Sequence, residues 1–323
     1  MHLRAPAKVN LALAVGGPYP PHSDKPGFHP IASWMSCVDF HDEIMLESLP
    51  EGSPAAFSIR WAADAPRPST IDWEPSSDLT VRALRELETR IGRHLPVRID
   101  VTKRIPVGGG LGGGSSDAAA VLQGLDKLFS LRLQPADLLA VASKLGSDIA
   151  FFLDPGHDTP RPALVTGLGD QIDRLPRVGA NLVLVIPPFA CPTAGVYAAY
   201  DKLLRGEVAV DRAVTAESRP TANVNEPLVR LIIRRCIESG RIDPGVCFNA
   251  LTAPAAHLEP RVAAVIEAVT TASGMQAHLS GSGSTVFVVG PPDAARIAET
   301  QLAAHLVSDP VLATCRLLRA RLI

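Results

Sequence analysis

The stretch P-V-G-G-G-L-G-G-G-S-S-D, residues 106–117, carries six glycines in seven positions and ends in paired serines and an aspartate. So many residues without a Cβ lower the penalty for left-handed backbone and let amide N–H groups turn toward an anion. Behind the run, Leu122, Leu125, Leu128 and Phe129 recur at helical spacing, which predicts a helix starting at about Ser115. Its uncapped N–H groups and the positive end of its dipole add to the same pull. A phosphate is the natural guest of such a loop.

Two phosphate motifs can be tested against it. The Walker pattern needs Lys then Ser or Thr after the last glycine, and here Ser115 and Ser116 follow with no lysine. The pattern G-x-G-x-x-G is met by Gly108, Gly110 and Gly113, but a run this rich in glycine meets it almost unavoidably. Residues 103–107 also separate the loop from the preceding strand, so a Rossmann dehydrogenase is disfavoured.

Working outward, residues 8–15 alternate, with Val9, Leu11, Leu13 and Val15 on one face and Lys8, Asn10, Ala12 and Ala14 on the other. That pattern predicts a half-buried strand projecting Lys8 and Asn10 to one side. Residues 97–101 (V-R-I-D-V) repeat it. A helix is expected from Pro135, through Leu138, Leu139, Ala142 and Leu145, to a stop at Gly146. Residues 275–279 and 285–289 read as strands joined by S-G-S-G-S, and a further strand begins near Asn181. Strands and helices mix without regular βαβ alternation, which predicts an α+β fold rather than a doubly wound sheet. Residues 16–27, 50–75 and 154–162, rich in Pro and Gly, read as surface loops, and the polar stretch 205–227 as another.

Composition bounds the rest. The 323 residues are 46% hydrophobic and 20% charged, enough for a full core in one large or two ordinary domains. A formal charge of −2 gives no field to hold a polyanion, so no nucleic-acid partner is expected. The longest apolar stretch, 180–190, is broken by Pro187 and Pro188, and Lys8 and Asn10 interrupt any signal-peptide core, so no membrane partner is expected either. Cys37, Cys191, Cys236, Cys247 and Cys315 are odd in number, scattered and without a C-x-x-C pair, as suits buried thiols in a reducing cytoplasm rather than a metal site. The expected state is a monomer or weak homodimer.

Three segments together resemble one family. A-P-A-K-V-N-L-A-L (residues 5–13), P-V-G-G-G-L-G-G-G-S-S-D-A-A (106–119) and L-S-G-S-G-S-T-V-F (279–287) look like the three motifs of the GHMP small-molecule kinases. The resemblance implies an N-terminal domain, 1–174, of the ribosomal-protein-S5-like kind, and a ferredoxin-like C-terminal domain, 175–323. It implies ATP on Pro106, Val107, Gly108, Gly109, Gly110, Leu111, Gly112, Gly113, Gly114, Ser115 and Ser116, with Mg²⁺ carried largely by the nucleotide phosphates. The family's L-G-x-D-x-x-F-F segment reads L-G-S-D-I-A-F-F here and places the catalytic aspartate at Asp148, while the catalytic lysine of the first motif falls on Lys8. Those types suit phosphoryl transfer, which needs one base for the hydroxyl proton and charge neutralisation on the γ-phosphate. Read plainly, Asp148 could instead cap the segment after Gly146, and Lys8 could be a solvated strand residue.

The combination of first and second motifs points to a member whose alcohol substrate carries cytidine diphosphate. The family's D-G-Y-H segment appears as P-G-F-H, putting Phe28 and His29 in the nucleobase positions, with Tyr197 as second aromatic and Thr193 and Asn10 as polar contacts. Phe28 could equally be core and His29 a satisfied loop histidine. The family's N-D-L-E element survives only as F-N-A-L, residues 248–251, so no role is carried to Asn249. Alternatives are a GHMP kinase acting on homoserine or a mevalonate-type alcohol, and a non-catalytic ATP-binding regulatory protein.

Overall fold

The computed structural model describes residues 1–207 and 220–323. The chain forms two compact units, each drawn from several stretches of sequence. Strands β1 (His2–Val15) and β2 (Ile31–Ser48) contribute residues to both.

The first unit holds Met1–Ala7, Phe40–Val107 and Gly112–Pro160. Here the end of β2 pairs antiparallel with β4 (Val97–Lys103), which pairs parallel with β3 (Ala56–Trp61). Helices α1 (Leu79–Ile91), α2 (Gly113–Leu128), α3 (Pro135–Leu145) and α4 (Ile149–Phe152) pack with one another. Asp78 caps α1 by accepting from Thr80 N at 2.9 Å. The buried face of α2 includes Ala118, Val121, Leu122 and Leu125, recurring at the spacing that makes an apolar stripe.

The second unit holds Lys8–Asp39, Gly108–Leu111 and Arg161–Ile323. The start of β2 pairs with β5 (Ala163–Gly167), which forms a hairpin with β6 (Gln171–Arg174). A separate sheet comprises β7 (Asn181–Ile186), β9 (His278–Leu279), β10 (Val286–Gly290) and β11 (Arg316–Arg321), in the order β11-β7-β10-β9 with every pairing antiparallel. Helices α5 (Thr193–Leu204), α6 (Glu226–Ser239), α7 (Thr252–Leu258) and α8 (Arg261–Ser273) fall between β7 and β9, and α9 (Pro292–His305) between β10 and β11. This is the split βαβ arrangement of a ferredoxin-like sheet. Its central strands read as continuous apolar runs, L-V-L-V-I and V-F-V-V, and are buried throughout, as strands covered on both faces must be. The two-residue strand β8 (Phe248–Asn249) pairs parallel with β1 at Ala12 and Leu13.

The mixed α+β fold is as the sequence predicts, and so is α3 with its stop at Gly146. Five readings need correction. The first strand is buried on both faces from Ala5 onward rather than half-buried, because its polar residues bond within the protein. Residues 50–75 are not all loop, since β3 lies among them and is held by its ladder to β4 rather than by apolar content. Helix α2 begins at Gly113, two residues before the predicted start, because Gly112 at φ 70° supplies the turn into it. Strand β9 is confined to two residues. Of the predicted loop 205–227, residues 208–219 lie outside the described residues, and Glu226 and Pro227 open α6 instead, behind the cap from Asn225 to Leu228 N. All five cysteines are buried. No helix among the described residues is long and apolar enough to cross a membrane.

Candidate active site

In the second unit the three sequence motifs partly converge. Lys8 N donates to Leu111 O at 2.9 Å, and Thr285 N to Gly109 O at 3.1 Å. Ser280 Oγ donates to Gly110 O at 3.0 Å. A Cβ on Gly281 would lie 3.1 Å from Lys8 Nζ and 3.4 Å from Asn10 Oδ1. The start of the glycine loop, the S-G-S-G-S turn and the first strand's lysine thus share one place.

Lys8 is only 3% exposed, so it is not a solvated strand residue. Its ammonium donates to Asn10 Oδ1 at 2.6 Å, Asn10 Nδ2 donates to Ser33 Oγ at 2.8 Å, and Ser33 Oγ to Ala12 O at 3.0 Å. Alternation along β1 puts Lys8 and Asn10 on one side, and this chain of donors fixes the ammonium there.

The S-G-S-G-S turn is in turn held by Asn249, a residue to which sequence comparison carries no role. Its Nδ2 donates to both Leu279 O and Gly281 O at 2.8 Å, while Oδ1 accepts from Leu251 N at 2.8 Å. The lost acids of the N-D-L-E element are therefore no obstacle to this bonding, which needs only the amide.

Helix α5 presents Thr193, Tyr197 and Asp201 four residues apart, on one stripe. Thr193 Oγ1 lies 3.0 Å from Ser282 Oγ in the glycine–serine turn. The other two meet His29, whose ring centroid is 4.9 Å from that of Tyr197 and whose Nε2 is 2.9 Å from Asp201 Oδ1. With Asp201 as acceptor, Nε2 carries the proton and Nδ1 of the neutral ring is left to accept. His29 is thus a bonded histidine beside the second aromatic, and Phe28 is not core: its ring is exposed, with Lys25 Nζ 5.9 Å above it. Asp201, which orients His29, lay beyond the motifs; its four-residue spacing from Tyr197 was the available signal.

The rest of the loop belongs to the first unit. Gly113, Gly114 and Ser115 open α2, where first-turn amides have no intrahelical acceptor, while Ser116 N reaches back to Gly112 O at 2.9 Å. Ser116 Oγ is buried without a hydrogen-bond partner among the described residues. Val107 is exposed. Asp148 belongs to this unit, half-buried ahead of α4, and its side chain does not cap that helix. The sequence reading also passed over a buried cluster. Lys103 Nζ donates to Asp117 Oδ2 at 2.7 Å and to Asp42 Oδ2. Burial alone would lower the Lys103 pKa, but the charges of Asp117 and Asp42 outweigh it and hold the ammonium above its usual range. Burial pushes the Asp117 carboxyl up against the pull of Lys103.

Residues 78–156 match the GHMP kinases N terminal domain and residues 233–308 the GHMP kinases C terminal. The chain belongs to the GHMP kinases and is a small-molecule phosphotransferase. It is 36% identical to 4-diphosphocytidyl-2-C-methyl-D-erythritol kinase of Caulobacter sp. (strain K31), over 88% of this chain and 87% of the relative. It is 34% identical to the kinase of the same name from Anaeromyxobacter dehalogenans (strain 2CP-1 / ATCC BAA-258), over 89% of this chain and 80% of that one. A crystal structure of 4-(cytidine 5'-diphospho)-2C-methyl-D-erythritol kinase superposes with a TM-score of 0.69 at 28% identity, covering 100% and 99% of the two chains. Homoserine kinase from Cytophaga hutchinsonii, at a TM-score of 0.61 and 16% identity, shares the fold.

Proposed function

We propose that this chain transfers the γ-phosphoryl group of ATP to the 2-hydroxyl of 4-diphosphocytidyl-2-C-methyl-D-erythritol, a step toward isoprenoid precursors by the non-mevalonate route, in the cytoplasm. The observation that carries the substrate assignment is the grouping of His29, Tyr197 and Asp201. Aromatic rings beside polar groups suit a cytosine, and a small aliphatic alcohol such as homoserine or mevalonate has no ring to stack there. The relatives' shared name supports the same reading.

In this reading residues 106–116 cradle the triphosphate with loop and helix N–H groups. Asp148 accepts the hydroxyl proton, and Lys8, held by Asn10, neutralises charge developing on the transferred phosphoryl group. Asn10, Phe28, His29, Thr193 and Tyr197 take up the substrate. Mg²⁺, when bound with the nucleotide, would supply further charge neutralisation through the phosphate oxygens, and Ser116 Oγ, buried and without a partner among the described residues, is a hard oxygen suited to its shell. A division into 1–174 and 175–323 keeps each family match within one domain, although residues 8–39, 108–111 and 161–174 pack with the second compact unit.

The test is ADP release with Mg²⁺-ATP and the cytidyl alcohol, beside homoserine, mevalonate and no alcohol. Turnover with the cytidyl alcohol alone is expected, and Asp148→Asn should abolish most of it while leaving ATP bound. Turnover with homoserine or mevalonate instead would overturn the substrate, and ATP binding without any turnover would return the chain to a regulatory role.

A further inference from the structure

Residues 104–116, the glycine loop with its flanks, run from the end of β4 to the first turn of α2. Within the first unit, the two ends of this stretch are joined by three buried charges. Asp42 Oδ1 accepts from Arg104 N at 2.5 Å and Ile105 N at 2.8 Å, gripping the backbone where the stretch begins. Asp42 Oδ2 meets Lys103 Nζ, and that ammonium crosses to Asp117 Oδ2 at 2.7 Å on the helix where the stretch ends. Asp42 is 0%, Asp117 3% and Lys103 4% exposed. The crossing depends on Gly113, since a Cβ there would lie 2.8 Å from Ile105 Cγ2 and 3.3 Å from Lys103 Nζ.

Stability does not explain such a group. Apolar residues of similar volume hold a fold as well as a buried ion cluster or better, because the charges must first be desolvated. What the cluster provides and an apolar plug does not is a fixed, directional length: bonds at set angles from one backbone segment to another. Lys103 also offsets charge on Asp117 at the helix's opening turns, so less of that charge acts on an incoming anion.

We propose that Lys103, Asp42 and Asp117 are positioning residues that set the span of the glycine loop for the nucleotide's triphosphate. The inference rests on reading that loop as the triphosphate site. Its signature is selective: nucleotide affinity depends on the clasp, whereas affinity for the alcohol does not.

The experiment uses the full chain with K103M, D42N and D117N combined. The three substitutions remove every charge together, and the amide introduced by D42N keeps an oxygen for the Arg104 and Ile105 amides. Thermal melting, ADP binding by calorimetry, and KM for ATP and for the cytidyl alcohol are measured beside wild type. The expected result is a cooperative melt, lowered in temperature because the two new amides are buried without full partners, ADP affinity and KM for ATP each worse by about tenfold, KM for the alcohol within about twofold, and kcat lowered less than about threefold. Should the triple variant not fold, D117N alone, which keeps shape and one acceptor, is read the same way with a loss of about threefold expected. A folded variant with wild-type nucleotide affinity overturns the clasp while leaving the loop's assignment standing. A wild-type chain that binds no ADP overturns the loop's assignment, and the clasp with it.

Discussion

The carbonyl oxygen of Ser280 occupies the space where a Cβ on Gly110 would have to go, and the Ser280 hydroxyl closes the same contact by donating to the Gly110 carbonyl at 3.0 Å. Gly110 also sits at φ 73°, where an L side chain is strained. Neither backbone can yield cheaply, because Gly283 N and O stand 3.0 Å from the same point. Gly110→Ala is therefore expected to destabilise the protein by about 2 kcal/mol or more, read as a lowered urea midpoint. An unchanged midpoint would mean that the loop and the turn separate freely.

Asn249 holds that turn from the other side. Asn249→Ala strips the partner from Leu279 O, Gly281 O and Leu251 N at once, all buried, and should cost about 3 kcal/mol of unfolding free energy. Asn249→Asp is isosteric but sets a carboxylate oxygen against two carbonyls, so it should cost at least as much. If the aspartate variant melts like wild type, the bonds drawn from Nδ2 are not what fixes the turn.

These two residues show what the sequence discloses and what it hides. Local signals were readable: the alternation that sets Lys8 beside Asn10, the glycine density of the loop, and the Pro135 and Gly146 limits of α3. The ferredoxin-like sheet followed from family resemblance, because its strand order depends on crossovers that no local pattern encodes. Asn249 was passed over because its neighbours differ from the family pattern, although its own amide makes all three bonds. Asp42, Lys103 and Asp117 were passed over for a different reason. They are separated by 61 and 14 positions, and only the folded β-strand and helix bring them within bonding distance. Strand β3 was missed because its residues are half-exposed and lie in a segment rich in proline, where pairing with β4 decides the structure.

The proposed nucleobase pocket predicts a selective effect at Asp201. With Nε2 of His29 bonded to Asp201, Nδ1 of the neutral ring is an acceptor, which suits the exocyclic amine of cytosine. Asp201→Ala frees the ring to turn and to change tautomer, and should raise KM for the cytidyl alcohol about tenfold while KM for ATP stays within about twofold. Equal losses for both substrates would point to general damage to α5 instead.

His278 predicts how stability responds to acid. The ring is 6% exposed, its Nε2–H donates to Pro244 O at 2.9 Å, and burial pushes its pKa down to about 4. The folded protein therefore keeps this histidine neutral at a pH where the unfolded chain, near 6.5, already binds the proton. Below about pH 6.5 the unfolded state takes up more protons, so unfolding free energy must fall with pH, by about 2 kcal/mol at pH 5 and about 3 kcal/mol near pH 4. Above pH 7 this histidine contributes no slope. His278→Gln can keep a donor for Pro244 O but cannot titrate, so its unfolding free energy should be flatter than wild type between pH 7 and 5 by that same 2 kcal/mol, whatever the carboxylates contribute to both chains. Urea unfolding at the two pH values for both proteins decides it, and parallel losses in the two chains would show that His278 is not held neutral by the fold.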